Sequence, residues 1–155
     1  MTALTHLDDA GAARMVDISN KTITTRKATA QGHISMSPEA LAAIEKGSAK
    51  KGDVLAVARI AAIMAAKKTS DLIPLCHAVA LSSVTIEFQQ ESGRIIARAT
   101  ACTTAATGVE MEAITAVSIA LLTIYDMAKA IDRGMIISEI RVMAKAGGRS
   151  GDWRA

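Results

Sequence analysis

Residues 108–133, with the sequence GVEMEAITAVSIALLTIYDMAKAIDR, form the longest helix pattern in the chain. The segment is apolar except near its ends, where it carries Glu112 on one side and Asp126 and Lys129 on the other. A helix advances about 1.5 Å and 100° per residue, so Glu112 and Asp126 lie within roughly 40° of each other around the axis but about 21 Å apart along it. One copy of this helix therefore cannot present both ends to one compact ligand.

Two antiparallel copies of the helix could do so. A two-fold dimer would place Glu112 of one subunit beside Asp126 and Lys129 of the other, and the symmetry would create two such sites. The composition favours association as well, because the chain is 50% hydrophobic but only 2% aromatic. Small apolar side chains allow close, broad contacts between subunits, and homodimer interfaces are typically apolar. We therefore expect a homo-oligomer.

The chain length of 155 residues predicts a single domain over residues 1–155, with an N-terminal arm at 1–16 and a Gly-rich basic tail at 146–155. The net charge of +3 is modest, and one Trp, one Tyr and one Phe are too few for base-stacking platforms. We therefore expect a small anionic ligand and no nucleic acid.

No targeting or membrane segment is predicted. Residues 1–9 are polar, and the longest charge-free apolar run, 113–125, is too short to cross a bilayer. We expect a cytoplasmic protein. The two cysteines, Cys76 and Cys102, lack CxxC spacing, so neither a disulfide framework nor a standard zinc site is indicated.

The secondary-structure patterns follow one another along the whole chain. A strand is predicted at 22–36, followed by a helix at 38–46 that begins with a Ser-Pro signal and a second helix at 54–68. An irregular segment at 69–83 leads into a hairpin of strands 81–89 and 95–103 around the turn ESGR. The long helix follows, with Gly134 as its C′ residue, and the last strand is predicted at 135–145. In the second helix, five apolar residues follow helical spacing: Val54, Val57, Ile60, Ala61 and Met64.

This order predicts an α+β, ferredoxin-like fold of the split β-α-β type once the two early helices are counted as one crossover. Its expected form is a four-stranded antiparallel sheet with helices on one face. The other face would stay open, lined by Ile, Val and Met, which is a second reason to expect association.

Several polar residues allow both a structural and a chemical interpretation. Asp126 and Lys129 are neighbours on one helical face, either as an ordinary surface ion pair or as an acid–base pair in which the lysine neutralises developing negative charge. Lys51 stands before a helix N-terminus, either as a solvated surface lysine like Lys50 or together with an anion bound at the free N–H groups. His77 lies among apolar residues, where a hydrogen-bonded structural role is common.

The tail allows the same two interpretations. Consecutive glycines can present N–H groups to a phosphate, and Arg149 adds positive charge, but a short Gly-rich tail can also be simply mobile.

Four segments together resemble the MoaC family, the cyclic pyranopterin monophosphate synthases of molybdenum cofactor biosynthesis. The segments are MVDISNKTITTRKATAQG, KKGDVLAVARIAAIMAAKKTSDLIPLCH, GVEMEAITAVSIALLTIYDMAKA and GGRSGDW, in the family's order and spacing. The resemblance extends over nearly the whole chain, from about residue 4 to residue 153.

The resemblance implies an enzyme, a lyase that rebuilds 3',8-cyclo-7,8-dihydroguanosine 5'-triphosphate into cyclic pyranopterin monophosphate and releases pyrophosphate. It also implies a ferredoxin-like homohexamer built as a trimer of dimers, with active sites at the dimer interface. A radical S-adenosylmethionine GTP cyclase would supply the substrate, and no metal or organic cofactor is implied. The family pattern assigns catalytic roles to Asp126, Lys129 and Lys51 and substrate binding to Leu75, Cys76, His77, Met111 and Glu112. Lys51, Lys129, Arg26 and the tail segment KAGGRSG are candidate cations for the departing pyrophosphate, and the tail is our own addition.

The chain departs from the family pattern in two places. Ala78, Val79 and Ala80 follow His77 where the family has CHPLP, so the expected proline restriction of this loop is missing. Arg149 stands where Lys is common, and the two cations do not bind phosphate in the same geometry. The alternative function is a ferredoxin-like nucleotide-binding module without turnover; a third interpretation treats all these polar residues as solvated surface.

Overall fold

A computed structural model of the protein describes residues 6–8 and 10–155. The sheet strands are β1 (Thr24–Ser35), β2 (Leu81–Glu91), β3 (Arg94–Ala105), β4 (Ile136–Ala146) and β5 (Trp153–Arg154), and the helices are α1 (Pro38–Glu45), α2 (Val54–Lys67), α3 (Thr69–Leu72) and α4 (Glu110–Ala128). The strand order is β2-β3-β1-β4-β5, and every pairing is antiparallel. The predicted α+β, ferredoxin-like fold is confirmed, with five strands rather than four.

The fifth strand comes from the C-terminal tail. Trp153 and Arg154 pair with Lys145 and Ala144 of β4. Between the two strands, the N–H of Gly147 donates a 3.0 Å hydrogen bond to a carboxylate oxygen of Asp152. The tail is therefore a folded loop that returns to the sheet edge.

The core is built mainly from alanine. On the sheet face that meets α2 and α4, Ala30, Ala97 and Ala99 are fully buried, as is Ala116 on α4. A Cβ at Gly32 would lie 2.8 Å from Cγ1 of Ile140, closer than real Cβ contacts. These small residues let the long helix pack close to the strands.

The outer face of the sheet is polar at its centre, so the prediction of an open face lined by Ile, Val and Met was wrong. There Gln31 accepts hydrogen bonds of 3.2 and 2.8 Å from Arg98, and the hydroxyls of Thr29 and Thr100 lie 3.0 Å apart. Side chains alternate between the two faces of a strand, so burying the apolar residues under the helices turns these polar residues outward.

The exposed apolar surface lies instead on α2. Val57, Ile60 and Met64 are 46%, 59% and 56% exposed, whereas Ala58 and Ala62 of the same helix are fully buried. Of the five residues predicted to share an apolar face, Val54 is buried and Ala61 is half-buried, so the prediction was wrong for Val57, Ile60 and Met64. Alanine fills most of the closest contacts with the core, together with Val54, while these three larger side chains point outward.

Helix α4 ends earlier than predicted. It finishes at Ala128, with Lys129 as its C-cap. Gly134 lacks the left-handed conformation of a C′ glycine, and its N–H instead donates to a carboxylate oxygen of Asp132 at 2.8 Å. The other carboxylate oxygen of Asp132 accepts from the N–H of Ser37 at 2.8 Å. This side chain fixes the turn after the helix.

The composition of α4 is that of a core helix. By length and apolarity alone it would be long enough to span a membrane, although its charge-free run is shorter. More than half of it (56%) is buried inside the protein. That burial accounts for its hydropathy.

Candidate functional site

A cleft of about 1120 Å³ opens where the N-terminal segment, the start of β1, the loop at 75–77, the start of α4 and the C-terminal loop meet. Five cationic side chains line it: Lys21, Arg26, Lys27, Lys145 and Arg149. Their charge suits a polyanionic ligand, because lysine and arginine form charge-assisted hydrogen bonds with phosphate oxygens.

Arg26 is fixed by two consecutive backbone carbonyls at the end of β3. Its Nε donates to the carbonyl of Ala105 at 2.9 Å, and its Nη2 donates to the carbonyl of Ala106 at 3.2 Å. Gly148, with φ of +78°, lies directly against the guanidinium, and a Cβ there would overlap with it. The glycine therefore lets the C-terminal loop approach Arg26 in a backbone conformation that side chains disfavour.

The loop that carries Leu75, Cys76 and His77 forms one wall of the cleft. Nε2 of His77 lies 2.7 Å from the carbonyl of Val16. A carbonyl only accepts, so this nitrogen carries the hydrogen and Nδ1 of the neutral ring remains an acceptor. His77 thereby connects the loop to the N-terminal segment.

Glu112 brings a carboxyl group into the cleft, together with Met111. Its side chain is only 4% exposed, and this burial, followed by the nearby Glu110 charge, raises the pKa of the Glu112 carboxyl. Burial and then the Glu112 charge raise the pKa of the Cys76 thiol. The thiol and the carboxyl are therefore electrostatically coupled on one wall.

A second cluster lies at the other end of α4. The carboxylate of Asp126 accepts a 2.6 Å hydrogen bond from Nζ of Lys51 on Oδ2 and a 2.7 Å bond from Nζ of Lys129 on Oδ1. The Lys129 bond and then the Lys51 bond lower the pKa of the Asp126 carboxyl to about 2. Asp126 is thus ionised at neutral pH, and the two lysine side chains stabilise its charge.

The family of the chain follows from comparison with known proteins. The model of the MoaC family matches residues 15–148, which include Glu112 in the cleft and the Asp126 cluster. The chain belongs to the MoaC family. The cyclic pyranopterin monophosphate synthase of Novosphingobium aromaticivorans is 59% identical over 155 residues, covering 100% of this chain and 99% of that protein.

Two further relatives carry the same name. The cyclic pyranopterin monophosphate synthase of Parvibaculum lavamentivorans is 54% identical and covers 98% of this chain and 96% of that protein. That of Chloroflexus aurantiacus is 58% identical, with coverage of 97% and 94%. The similarity therefore extends over the whole MoaC chain and is not limited to its motifs.

Within one MoaC chain, the site residues expected from sequence divide into two groups. Six line the cleft: Arg26, Leu75, Cys76, His77, Met111 and Glu112. The other three, Lys51, Asp126 and Lys129, form the second cluster and do not contribute to the cleft. The division matches the two ends of α4, which the sequence spacing separates by about 21 Å.

The structure adds residues that sequence reasoning did not single out. Lys21, Lys27 and Thr24 line the cleft. The side-chain oxygen of Thr24 is buried without a hydrogen-bond partner among the described residues. The concentration of Lys, Arg and Thr at 21–27 was a signal for these positions, but only the fold places this segment beside the loop at 75–77.

Proposed function

We propose that this chain is a cyclic pyranopterin monophosphate synthase, a lyase that converts 3',8-cyclo-7,8-dihydroguanosine 5'-triphosphate into cyclic pyranopterin monophosphate and pyrophosphate. The observation that carries the proposal is the carboxylate of Asp126 held between two ammonium groups, at 2.6 and 2.7 Å, in a chain 54–59% identical over its full length to proteins of that name. Conversion of a cyclised guanosine triphosphate requires proton transfer, which we assign to the Asp126 cluster, and charge neutralisation, which we assign to the cations of the cleft.

In this proposal the cleft binds the substrate. The cations Lys21, Arg26, Lys27 and Lys145 hold the triphosphate, and their charge offsets the negative charge that spreads as pyrophosphate leaves. Met111 and the loop at 75–77 contact the ring system, and the carboxyl of Glu112 offers a hydrogen-bonding group there. The acceptor Nδ1 of His77 is available for a donor on the substrate.

The second cluster performs the proton transfers. The ring rearrangement needs a base and an acid that act in turn. Asp126, ionised at neutral pH, accepts a proton from the substrate, and the Lys129 or Lys51 ammonium donates one. The hydrogen bonds between the three groups let the proton return between turnovers, so none is consumed.

A complete site requires two copies of the chain in this proposal. Met111, Leu122 and Lys129 lie within about 20° of one another around the axis of α4. Leu122 is 53% exposed, and Ile60 and Met64 of α2, the helix that packs against α4, are exposed as well. An antiparallel contact of this surface with a second copy would bring the cleft of one subunit to the Asp126 cluster of the other.

We also propose how the protein assembles, what supplies its substrate and where it works. The dimers assemble as a homohexamer, a trimer of dimers. A radical S-adenosylmethionine GTP cyclase supplies the substrate. The protein folds as one domain over residues 1–155 and works in the cytoplasm, without a metal or organic cofactor of its own.

The decisive experiment measures pyrophosphate release from the cyclised triphosphate. Wild-type protein should release it, and Asp126→Asn should release at least about a hundredfold less, because general acid–base groups contribute about that much. Sedimentation should give the same mass for both proteins. Binding of the cyclised triphosphate by wild-type protein without any release would instead indicate a binding module without turnover.

A further inference from the structure

The loop at 75–77 has few backbone hydrogen bonds of its own. Within the described residues, the N–H of Cys76 donates to the carbonyl of Ile73 at 3.1 Å, and residues 77–80 that follow have no regular secondary structure. Ala78, Val79 and Ala80 are not conformationally restricted as proline would be. Some other contact must therefore fix the far end of this cleft wall.

The hydroxyl of Thr103 makes that contact. Thr103 is a fully buried residue of β3, and its Oγ1 donates to the carbonyl of Ala80 at 2.6 Å. The bond lies at a bulge, because the pairing register shifts between Leu81 and Ser83 at the start of β2. A shifted ladder leaves backbone groups without strand partners, and here a side chain satisfies one of them.

We propose that Thr103 is a positioning residue for the substrate-binding loop. Its hydroxyl anchors the segment at Ala80, three residues after His77, to the central sheet. At the other end of the segment 77–80, Nε2 of His77 forms a 2.7 Å hydrogen bond with the carbonyl of Val16. The buried threonine thus fixes both the loop wall and, through the imidazole, the N-terminal wall of the cleft.

The kinetic test rests on the proposed function and compares KM with kcat. Thr103→Val keeps the shape but removes the donor, and KM should rise roughly tenfold, since one net hydrogen bond is worth about one power of ten in an equilibrium constant. The value of kcat should stay within about twofold, because Asp126 and its lysines are untouched. Thr103→Ser restores the hydroxyl and should restore KM.

The matched control is Thr100→Val in the same strand. Its hydroxyl lies 3.0 Å from that of Thr29 on the outer face of the sheet and outside the cleft. KM of this variant should equal that of wild type. Equal KM values for Thr103→Val and wild type, or equal rises for the two valine variants, would overturn the assignment.

A second pair of variants disturbs packing less than valine does. Thr103→Cys and Thr103→Ser have similar shapes, but a thiol is a much weaker donor than a hydroxyl. KM should be higher for the cysteine variant. Identical KM values in this pair would also overturn the proposal.

A readout without substrate separates failure of this inference from failure of the proposed function. The chain has three histidines, so the ring nitrogen signals of His77 can be assigned by NMR. In Thr103→Val the Nε2 hydrogen of His77 should exchange with water faster, whereas in Thr100→Val it should remain protected. An unchanged His77 signal in Thr103→Val refutes the positioning role, whether or not the wild-type protein releases pyrophosphate.

Discussion

Nζ of Lys51 lies 2.6 Å from Oδ2 of Asp126, and the same ammonium donates to the backbone carbonyl of Asp126 at 3.1 Å. The two residues are 75 positions apart in sequence. The contact fixes the turn before α2 against the last turn of α4. One half of the proposed site is thus already assembled within a single chain.

Subunit mixing tests whether that half works with the cleft of a second copy. Glu112→Ala and Asp126→Ala should each be nearly inactive alone. After the two are unfolded together and refolded in equal amounts, about a quarter of wild-type activity should return, because half of the dimers are mixed and each of these has one intact site. Pyrophosphate release is the measurement. Activity that stays at the level of the separate variants would contradict a shared site.

The buried carboxyl of Glu112 should reduce stability at neutral pH. Since burial raises its folded-state pKa above the usual 4.5, the folded protein binds this proton more tightly than the unfolded chain does. Stability is therefore lost as pH rises from about 4.5 through the raised pKa. Glu112→Gln lacks this loss, so its Tm should exceed that of wild type by a few degrees at about pH 7, and the difference should shrink towards about pH 4.

Calorimetry across this pH range is the measurement for Glu112. Glu39→Gln is the matched control, because Glu39 also lies in the first turn of a helix but is exposed. A Tm difference between Glu112→Gln and wild type that is independent of pH would contradict the ionisation argument. Loss of substrate affinity alongside the gain in Tm would identify a carboxyl kept for binding at the expense of stability.

Alkylation should be slow at Cys76 because the thiolate is the reactive form and its pKa is raised. In a Cys102→Ser background, iodoacetamide labelling followed by mass spectrometry reports on Cys76 alone. Adding Glu112→Gln removes a repelling charge and should speed labelling several-fold at about pH 8. Cys76→Ser gives the zero level, and equal rates with and without Glu112 would argue against the coupling.

A methyl group at Gly148 should weaken substrate binding through Arg26. The Cβ of Gly148→Ala would overlap with the guanidinium, so Arg26 must leave its place against Ala105 and Ala106. KM should rise roughly tenfold, as for loss of a charge-assisted contact. Gly151→Ala is the matched control: Gly151 also has a positive φ of +67°, but a Cβ there meets no atom within 4 Å. Equal KM values in both variants would exclude an effect through Arg26.

The exposed apolar surface on α2 should be a subunit contact. Ile60 is 59% exposed, and a charge in its place would be costly to bury between subunits. Ile60→Asp should therefore lower the mass seen by analytical ultracentrifugation, whereas the charge change Lys46→Glu at the exposed end of α1 should not. Unchanged mass for Ile60→Asp would indicate that the subunits meet elsewhere.

Much of this protein followed from sequence because the signals were local. Alternation of polar and apolar residues identified the strands, and Ser37 before Pro38 marked the start of α1, where its side chain accepts from the N–H of Ala40 at 3.2 Å. The spacing of Glu112 and Asp126 on one helix separated the two halves of the site, since helix geometry fixes that distance.

Tertiary structure decided whatever depended on close packing or on distant partners. Because the helices approach the sheet closely, alanine fills the core and Ile60 is turned outward, against the simple apolar pattern. The Asp132 carboxylate accepts a hydrogen bond from the N–H of Ser37. This contact stabilises a turn after α4, where local propensity alone predicts that the helix continues. The contacts of Lys51 with Asp126 and of Thr103 with Ala80 join residues 75 and 23 positions apart. No periodicity encodes such pairs, because only the folded backbone brings them within hydrogen-bond distance.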